Sequence, residues 1–224
     1  MTYFKPPQLS KDEIESKAFE VLLAYYGTER IRLPIEVEHI TEFYLGYDLV
    51  FTDEGLYQDP NFLGGICFIE KEIYINAALE NHEGRMAFTI AHEIGHHVLH
   101  RQDYLDYLKG ESPEILCRDT SKKPLIEEQA DQFAASLLLP KDFLLQTWSF
   151  GEVRNVYQAY KYAQQFKRKH AIHNVSISAL INRLIDLGVF KDIPYQKGRP
   201  NLPRRGYLKI IKFVRKIRKF IPRL

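Results

Sequence analysis

Residues 88–100 read Phe88-Thr-Ile-Ala-His-Glu-Ile-Gly-His-His-Val-Leu-His100 and contain His-Glu-x-x-His at positions 92, 93 and 96. Ala87, Ala91, Ile94 and Val98 recur at helical spacing, so the stretch is expected to lie within an amphipathic helix over Gly84–Arg101. On a helix, residues four apart differ by only ~40° of rotation, and His92 and His96 therefore project together. Two imidazole nitrogens held that way can occupy two corners of a tetrahedral metal site. Glu93 lies ~100° round from His92. From there its carboxylate could reach the metal's open position, take a proton from water and pass it to a leaving amine. Gly95 costs up to ~1 kcal/mol against alanine in a helix interior. A glycine at that point is expected where another segment approaches the helix closely.

A catalytic metal of this kind needs a third protein ligand and an open fourth position. The all-histidine extension His-Glu-x-x-His-x-x-Gly-x-x-His would need a glycine and a histidine where the chain has Leu99 and Gln102. The other route is a glutamate on a following helix, and Ile126-Glu-Glu-Gln-Ala-Asp-Gln-Phe-Ala-Ala-Ser-Leu-Leu-Leu-Pro140 supplies Glu127 and Glu128. Glu127 and Asp131 are four apart and share a face. The first can bind the metal while the second orients His92 through its other ring nitrogen. Ala130, Phe133, Ala134 and Leu137 form the adjoining packing stripe. His97 is expected to point away from the metal, and His100, a further turn on, to be a structural hydrogen-bonder.

Working outward, Lys11–Tyr26 reads as a helix capped by Ser10, with Ile14, Ala18, Val21 and Leu22 on one face. A short helix follows Pro34 through Val37, Ile40 and Phe43, and Tyr47–Phe51 reads as a strand. Gly65–Ile69 and Glu72–Asn76 form an expected hairpin across Glu70–Lys71. Beyond His82 the pattern is helical: the motif helix, Pro124–Leu139 stopped by Pro140, a third helix from Phe150 to about Lys167, and a fourth capped by Ser176 through Leu187. The polar stretch 102–123 is expected to be looped. Strands early and helices late define an α+β fold, a small mixed or antiparallel sheet packed on the motif helix with a mostly helical C-terminal half. The expected divisions are a domain over 1–149, a helical closing subdomain over 150–196 that is helix-turn-helix-like at most, and a basic amphipathic tail over 197–224.

The bulk properties narrow the setting. The 224 residues are 45% hydrophobic and 27% charged, an ordinary globular balance. No apolar run approaches the ~18 residues of a membrane span, and the N-terminal stretch has no secretory pattern. Cys67 and Cys117 are too few for a disulfide framework, so a cytoplasmic protein is expected. The net charge of +2 hides an asymmetry. Of 31 Lys and Arg residues, 11 fall after residue 196 with no acidic partner, leaving 20 basic against 29 acidic side chains before it, a net of −9. Ile210, Phe213, Val214, Ile217, Phe220 and Ile221 recur at helical spacing in this tail. Such a helix can pack on the acidic body, dock on an acidic partner, lie on an anionic membrane surface or touch nucleic acid.

Two further elements are candidates for substrate handling. If Ile73, Tyr74, Ile75 and Asn76 form a sheet edge beside the metal cleft, an extended peptide could pair with it through backbone hydrogen bonds. Tyr104 or Tyr107 could stabilise an oxyanion.

Phe88 to His100, followed by Glu127-x-x-Ala-Asp-x-Phe-Ala-x-x-Leu-Leu-Leu-Pro140, resembles the ImmA/IrrE family of metallopeptidases, and Ile73-Tyr-Ile-Asn76 and Arg85 also fit its pattern. The resemblance covers roughly residues 30–190. It implies a thermolysin-like zincin core with a glutamate third ligand, which falls on Glu127, and a zinc-dependent endopeptidase. It further implies a protein substrate of the repressor or antitoxin type. Leu139 stands where the family often has methionine, and the basic tail belongs to no pattern of the family. Histidine and carboxylate ligands also accept Mn2+ or Fe2+. The competing expectation is a binding or sensor module that recognises a repressor, a membrane surface or DNA without cleaving anything.

Overall fold

The computed structural model describes residues 7–27, 31–53, 62–107, 116–117, 125–191, 195–196 and 199–200. The basic tail beyond these lies outside the described residues.

Helix α1 (Lys11–Tyr26) begins with a reciprocal cap: Ser10 Oγ accepts from the Glu13 N–H at 3.3 Å, and the Glu13 carboxylate accepts from the Ser10 N–H at 2.8 Å. Its buried face is Ile14, Ala18, Val21 and Leu22, as the spacing predicts. The short α2 (Val37–His39) runs directly into a π turn over Ile40–Tyr44. That wider turn shifts the helical register, and Phe43 is 75% exposed while Val37 and Ile40 are buried.

Four strands form one mixed sheet: β1 (Asp48–Thr52), β2 (Gly64–Cys67), β3 (Glu72–Asn76) and β4 (Leu116–Cys117), in the order β1-β3-β2-β4. The expected hairpin is present as the antiparallel pair β2–β3, with Gly64 opposite Ile75 and Cys67 opposite Glu72. The other side of β3 is taken by β1, which pairs parallel from Asp48↔Glu72 to Thr52↔Asn76. This overturns the reading of Ile73, Tyr74, Ile75 and Asn76 as a substrate-pairing edge, because both hydrogen-bonding sides of the strand are already used. Ile73 and Ile75 enter the core, the Tyr74 hydroxyl donates to Glu72, and Asn76 Nδ2 donates to the Phe62 carbonyl.

The motif helix is α3 (Glu83–Tyr107), longer than expected: residues 102–107, read as loop, continue it. Tyr104 is 4% exposed and sits edge-on to Phe68 at 5.4 Å, so its ring makes core instead of closing the polar stretch. Helix α4 (Leu125–Leu138) packs along α3, and α1 lies across both. The expected close approach at Gly95 is there. A Cβ on Gly95 would stand 3.2 Å from the Ala130 Cα and 3.2 Å from the Phe133 ring. Only a glycine lets the two backbones come that near.

Pro140 ends α4 but also starts a helix that the sequence reading lacks, α5 (Lys141–Thr147). Its φ of −58° suits a helix entrance. Next come α6 (Val156–Lys169), which starts six residues later than expected because Asn155 caps it through the Gln158 N–H, and α7 (Ile177–Asp186), capped by Ser176. Trp148 closes this end of the core among Phe150, Phe166 and Phe190, with ring centroids 4.9–5.3 Å away. Arg183, 3% exposed, ties α7 to α1 by paired contacts of 2.5 and 2.6 Å to Glu15 and to the end of α4 through the Leu139 carbonyl at 3.0 Å. The two-residue strands β5 (Tyr195–Gln196) and β6 (Arg199–Pro200) pair with each other. Among the described residues no helix is long and apolar enough to cross a membrane.

Candidate metal centre

The crossing of α3 and α4 brings His92, His96 and Glu127 together, and all three are buried. His92 Nε2 lies 3.0 Å from His96 Nε2 and 3.2 Å from Glu127 Oε2, and His96 Nε2 lies 3.3 Å from Glu127 Oε1. A tetrahedral ion with bonds of ~2.0–2.1 Å needs its ligand atoms roughly 3.3 Å apart. With one Glu127 oxygen facing each imidazole, the three residues stand at about that spacing. Glu128, the alternative ligand, is exposed.

Polarity leads to the same fit. The Asp131 carboxylate accepts from His92 Nδ1 at 3.0 Å, which leaves the Nε2 lone pair of a neutral His92 facing the other two donors. Three lone pairs converging in a buried space call for a positive charge between them. The titration behaviour carries the same message. Burial opposes charge on His92, yet hydrogen bonds to Asp131 and Glu127 outweigh it and raise its pKa to about 9. Burial, and then the charge on His92, push His96 down. At Glu127 burial would raise the carboxyl, but the two imidazoles overcome it and bring its pKa to about 2. Without an ion, a proton on His92 takes the place of the cation.

Glu93 is fully buried on the next face of α3, where β2 runs close by. A Cβ on Gly64 would lie 3.3 Å from Glu93 Oε1 and 2.4 Å from Thr89 Cγ2. The space beside Glu93 exists because position 64 has no side chain. Nothing in the local sequence pattern marks Gly64 for this role. It emerges only once β2 is laid against α3.

The remaining histidines of the helix turn elsewhere. His97 Nδ1 meets the Tyr47 hydroxyl at 2.9 Å, away from the metal ligands as expected. His100 Nδ1 faces His96 Nδ1 at 3.2 Å, and its Nε2 meets Gln129 Oε1 at 2.9 Å. Tyr104, offered as an oxyanion group, lies eight residues past His96, about 12 Å further along the axis, and its burial against Phe68 keeps it in the core. The side chain of Tyr107 lies outside the described residues. A cleft of about 780 Å³ opens along Leu63, Phe88 and Thr89 and reaches Lys167 and His173. A second, of about 560 Å³, includes Asp131 and shares Phe88, Ala135 and Ala179 with the first. The three ligand side chains line neither cleft. Asp131, which lines the second cleft, is hydrogen-bonded to His92.

An α+β domain with two imidazoles from one helix and a carboxylate from its neighbour has the architecture of a metallopeptidase. The chain matches the family model of the IrrE N-terminal-like domain, Peptidase_M78, over residues 43–183. It therefore belongs to the ImmA/IrrE family of peptidases. No curated protein gives a significant match to it.

Proposed function

We propose that the chain is a zinc-dependent endopeptidase of a cell's interior that cleaves a regulatory protein of the repressor or antitoxin type. The observation that carries this reading is the His92–His96–Glu127 triangle at tetrahedral spacing with a buried carboxylate, Glu93, on the same helix. A bound zinc would supply the Lewis acid that polarises the scissile carbonyl and acidifies water. The roles of the protein groups follow from their positions. His92, His96 and Glu127 hold the ion, and Asp131 keeps the His92 ring in the Nδ1–H form. Glu93 takes the proton of the attacking water and delivers it to the leaving nitrogen, a task suited to a carboxylate shielded from bulk solvent. The clefts on either side of Phe88 are the places on this face where an extended segment could lie, one of them against Asp131. The regulatory substrate is supported by family membership, and zinc by a set of two imidazoles and one carboxylate, which catalytic zinc sites use.

The direct test is incubation of the zinc-loaded protein with the product of a neighbouring regulatory gene, with and without a chelator. Cleavage that stops with the chelator and is absent in Glu93→Gln supports the reading. A tight complex with that protein that leaves it intact, with the zinc retained, would instead favour the binding or sensor module.

A further inference from the structure

Among the described residues no carboxylate meets the outer nitrogen of His96. Instead its Nδ1 faces His100 Nδ1 at 3.2 Å, His100 Nε2 faces Gln129 Oε1 at 2.9 Å, and Gln129 Nε2 reaches the Pro7 carbonyl at 2.8 Å. His96, His100 and Gln129 are each no more than 2% exposed, so water does not replace the two links among them. We infer that His100, Gln129 and the Pro7 carbonyl form a one-way hydrogen-bond relay that fixes which nitrogen of His96 is free for the metal, and that His100 and Gln129 are positioning residues of the metal centre.

The direction of the relay follows from its far end. A carbonyl oxygen can only accept, so the Gln129 amide must present its NH2 group to Pro7. Flipping the amide would set two acceptor oxygens 2.8 Å apart in a part-buried place. With its nitrogen committed to Pro7, Gln129 has only its oxygen for His100, and that oxygen accepts from His100 Nε2–H. A neutral imidazole carrying its proton on Nε2 has a bare Nδ1. That bare nitrogen can only accept, so His96 must carry its proton on Nδ1. The Nε2 of His96 is then left with its lone pair aimed at His92 and Glu127, the form a metal requires.

The two histidine ligands are thus set by unlike means: His92 by the charged Asp131 on α4, and His96 by a neutral chain that begins in the segment ahead of α1. The relay binds α3, α4 and the N-terminal segment into one unit around the site. It rests on the metallopeptidase reading, since a tautomer matters here only if an ion is bound.

The test measures zinc affinity by competition with a chelating dye, alongside thermal melts, in full-length protein. Removing a partner of a metal-bound histidine costs about 10–100-fold in affinity. His100→Leu is expected to lose that much, and His100→Gln, whose oxygen can accept from His96 and whose nitrogen can donate toward residue 129, to recover most of it. Gln129→Met tests the next link if His100→Leu does not fold. Wild-type affinity in His100→Leu or in a folded Gln129→Met, with only the melting temperature changed, would overturn the relay and leave the metal site standing. A wild-type protein that binds no zinc would overturn both. A readout independent of variants is the 15N spectrum of the metal-free protein at neutral pH. His96 is expected as the Nδ1–H tautomer, and the Nε2–H form would overturn the relay.

Discussion

Gly64 on β2 gives Glu93 on α3 the room its carboxylate occupies: a Cβ at position 64 would lie 3.3 Å from Glu93 Oε1 and collide with Thr89 at 2.4 Å. Gly64→Ala must therefore move Thr89 first, and Glu93, one turn further along α3, is expected to shift with it. Misplacing a catalytic group by ~1 Å can cost up to about 10²-fold in rate. The expected result is a fall in kcat with zinc content unchanged, measured on a confirmed substrate. An unaltered kcat would remove Gly64 from the account of the site.

Glu93→Gln keeps the size of the side chain but ends its proton transfer. Turnover should drop by about 10²–10⁴-fold while zinc stays bound, since Glu93 is not among the three ligand donors. His92→Ala should lose both. Metal analysis beside a cleavage assay separates the two variants.

Zinc binding should release a proton. In the metal-free protein His92 has its pKa raised to about 9, by Asp131 and Glu127 against the effect of burial, so it is protonated at neutral pH. The ion needs the bare nitrogen. Apparent affinity should thus rise with pH, by roughly tenfold per unit between pH 6 and 8. Calorimetry in buffers of different ionisation enthalpy should give about one proton released per zinc at pH 7. A value near zero would contradict the charge balance described for the triangle.

Arg183→Met should strip a buried charge partner from Glu15 and a donor from the Leu139 carbonyl. Breaking one side of such a pair costs about 3–5 kcal/mol. The double variant with Glu15→Leu should recover part of that loss in denaturant melts. Equal stability in the single and double variants would show that the pair couples α7 to α1 only weakly.

What could be read from the chain alone was whatever depends on local periodicity. The faces of α1, α3 and α4, the cap at Ser10 and the pairing of His92 with His96 follow from spacings of three and four residues, whereas the choice of Glu127 over Glu128 came with the family resemblance. The close helix contact at Gly95 was also legible, because a glycine mid-helix has a cost that asks for a reason. Features set by distant partners were not legible. Residues 73–76 look the same as a sequence whether β1 pairs beside them or leaves an edge, and the parallel pairing with β1 decides the matter. Pro140 carries both a stop and a start, and only the stop was read. Nothing in the local pattern marks Gln129, whose role shows only when α4 is set against His100 and the segment at Pro7.

Substituting leucine for Gly95 should wedge the helix pair apart, since the added carbons meet the Ala130 backbone and the Phe133 ring, both at 3.2 Å. Overpacking of this kind costs about 1–3 kcal/mol, offset in part by the better helix propensity. The decisive measurement is zinc affinity, which should fall because Glu127 moves away from the histidines. Undiminished affinity would mean that α4 can retreat without carrying its ligand along.

The same crossing gives the ion a second role. Two donors ride on one helix and the third on another, so the ion is held only when the helices are docked. It then acts as a clasp on the folded chain. By mass action, zinc at a hundred times its Kd adds about 2.7 kcal/mol to the folded state. A cell that runs short of the metal would lose this protein twice over, first its chemistry and then its lifetime, as the unclasped chain opens more often to degradation.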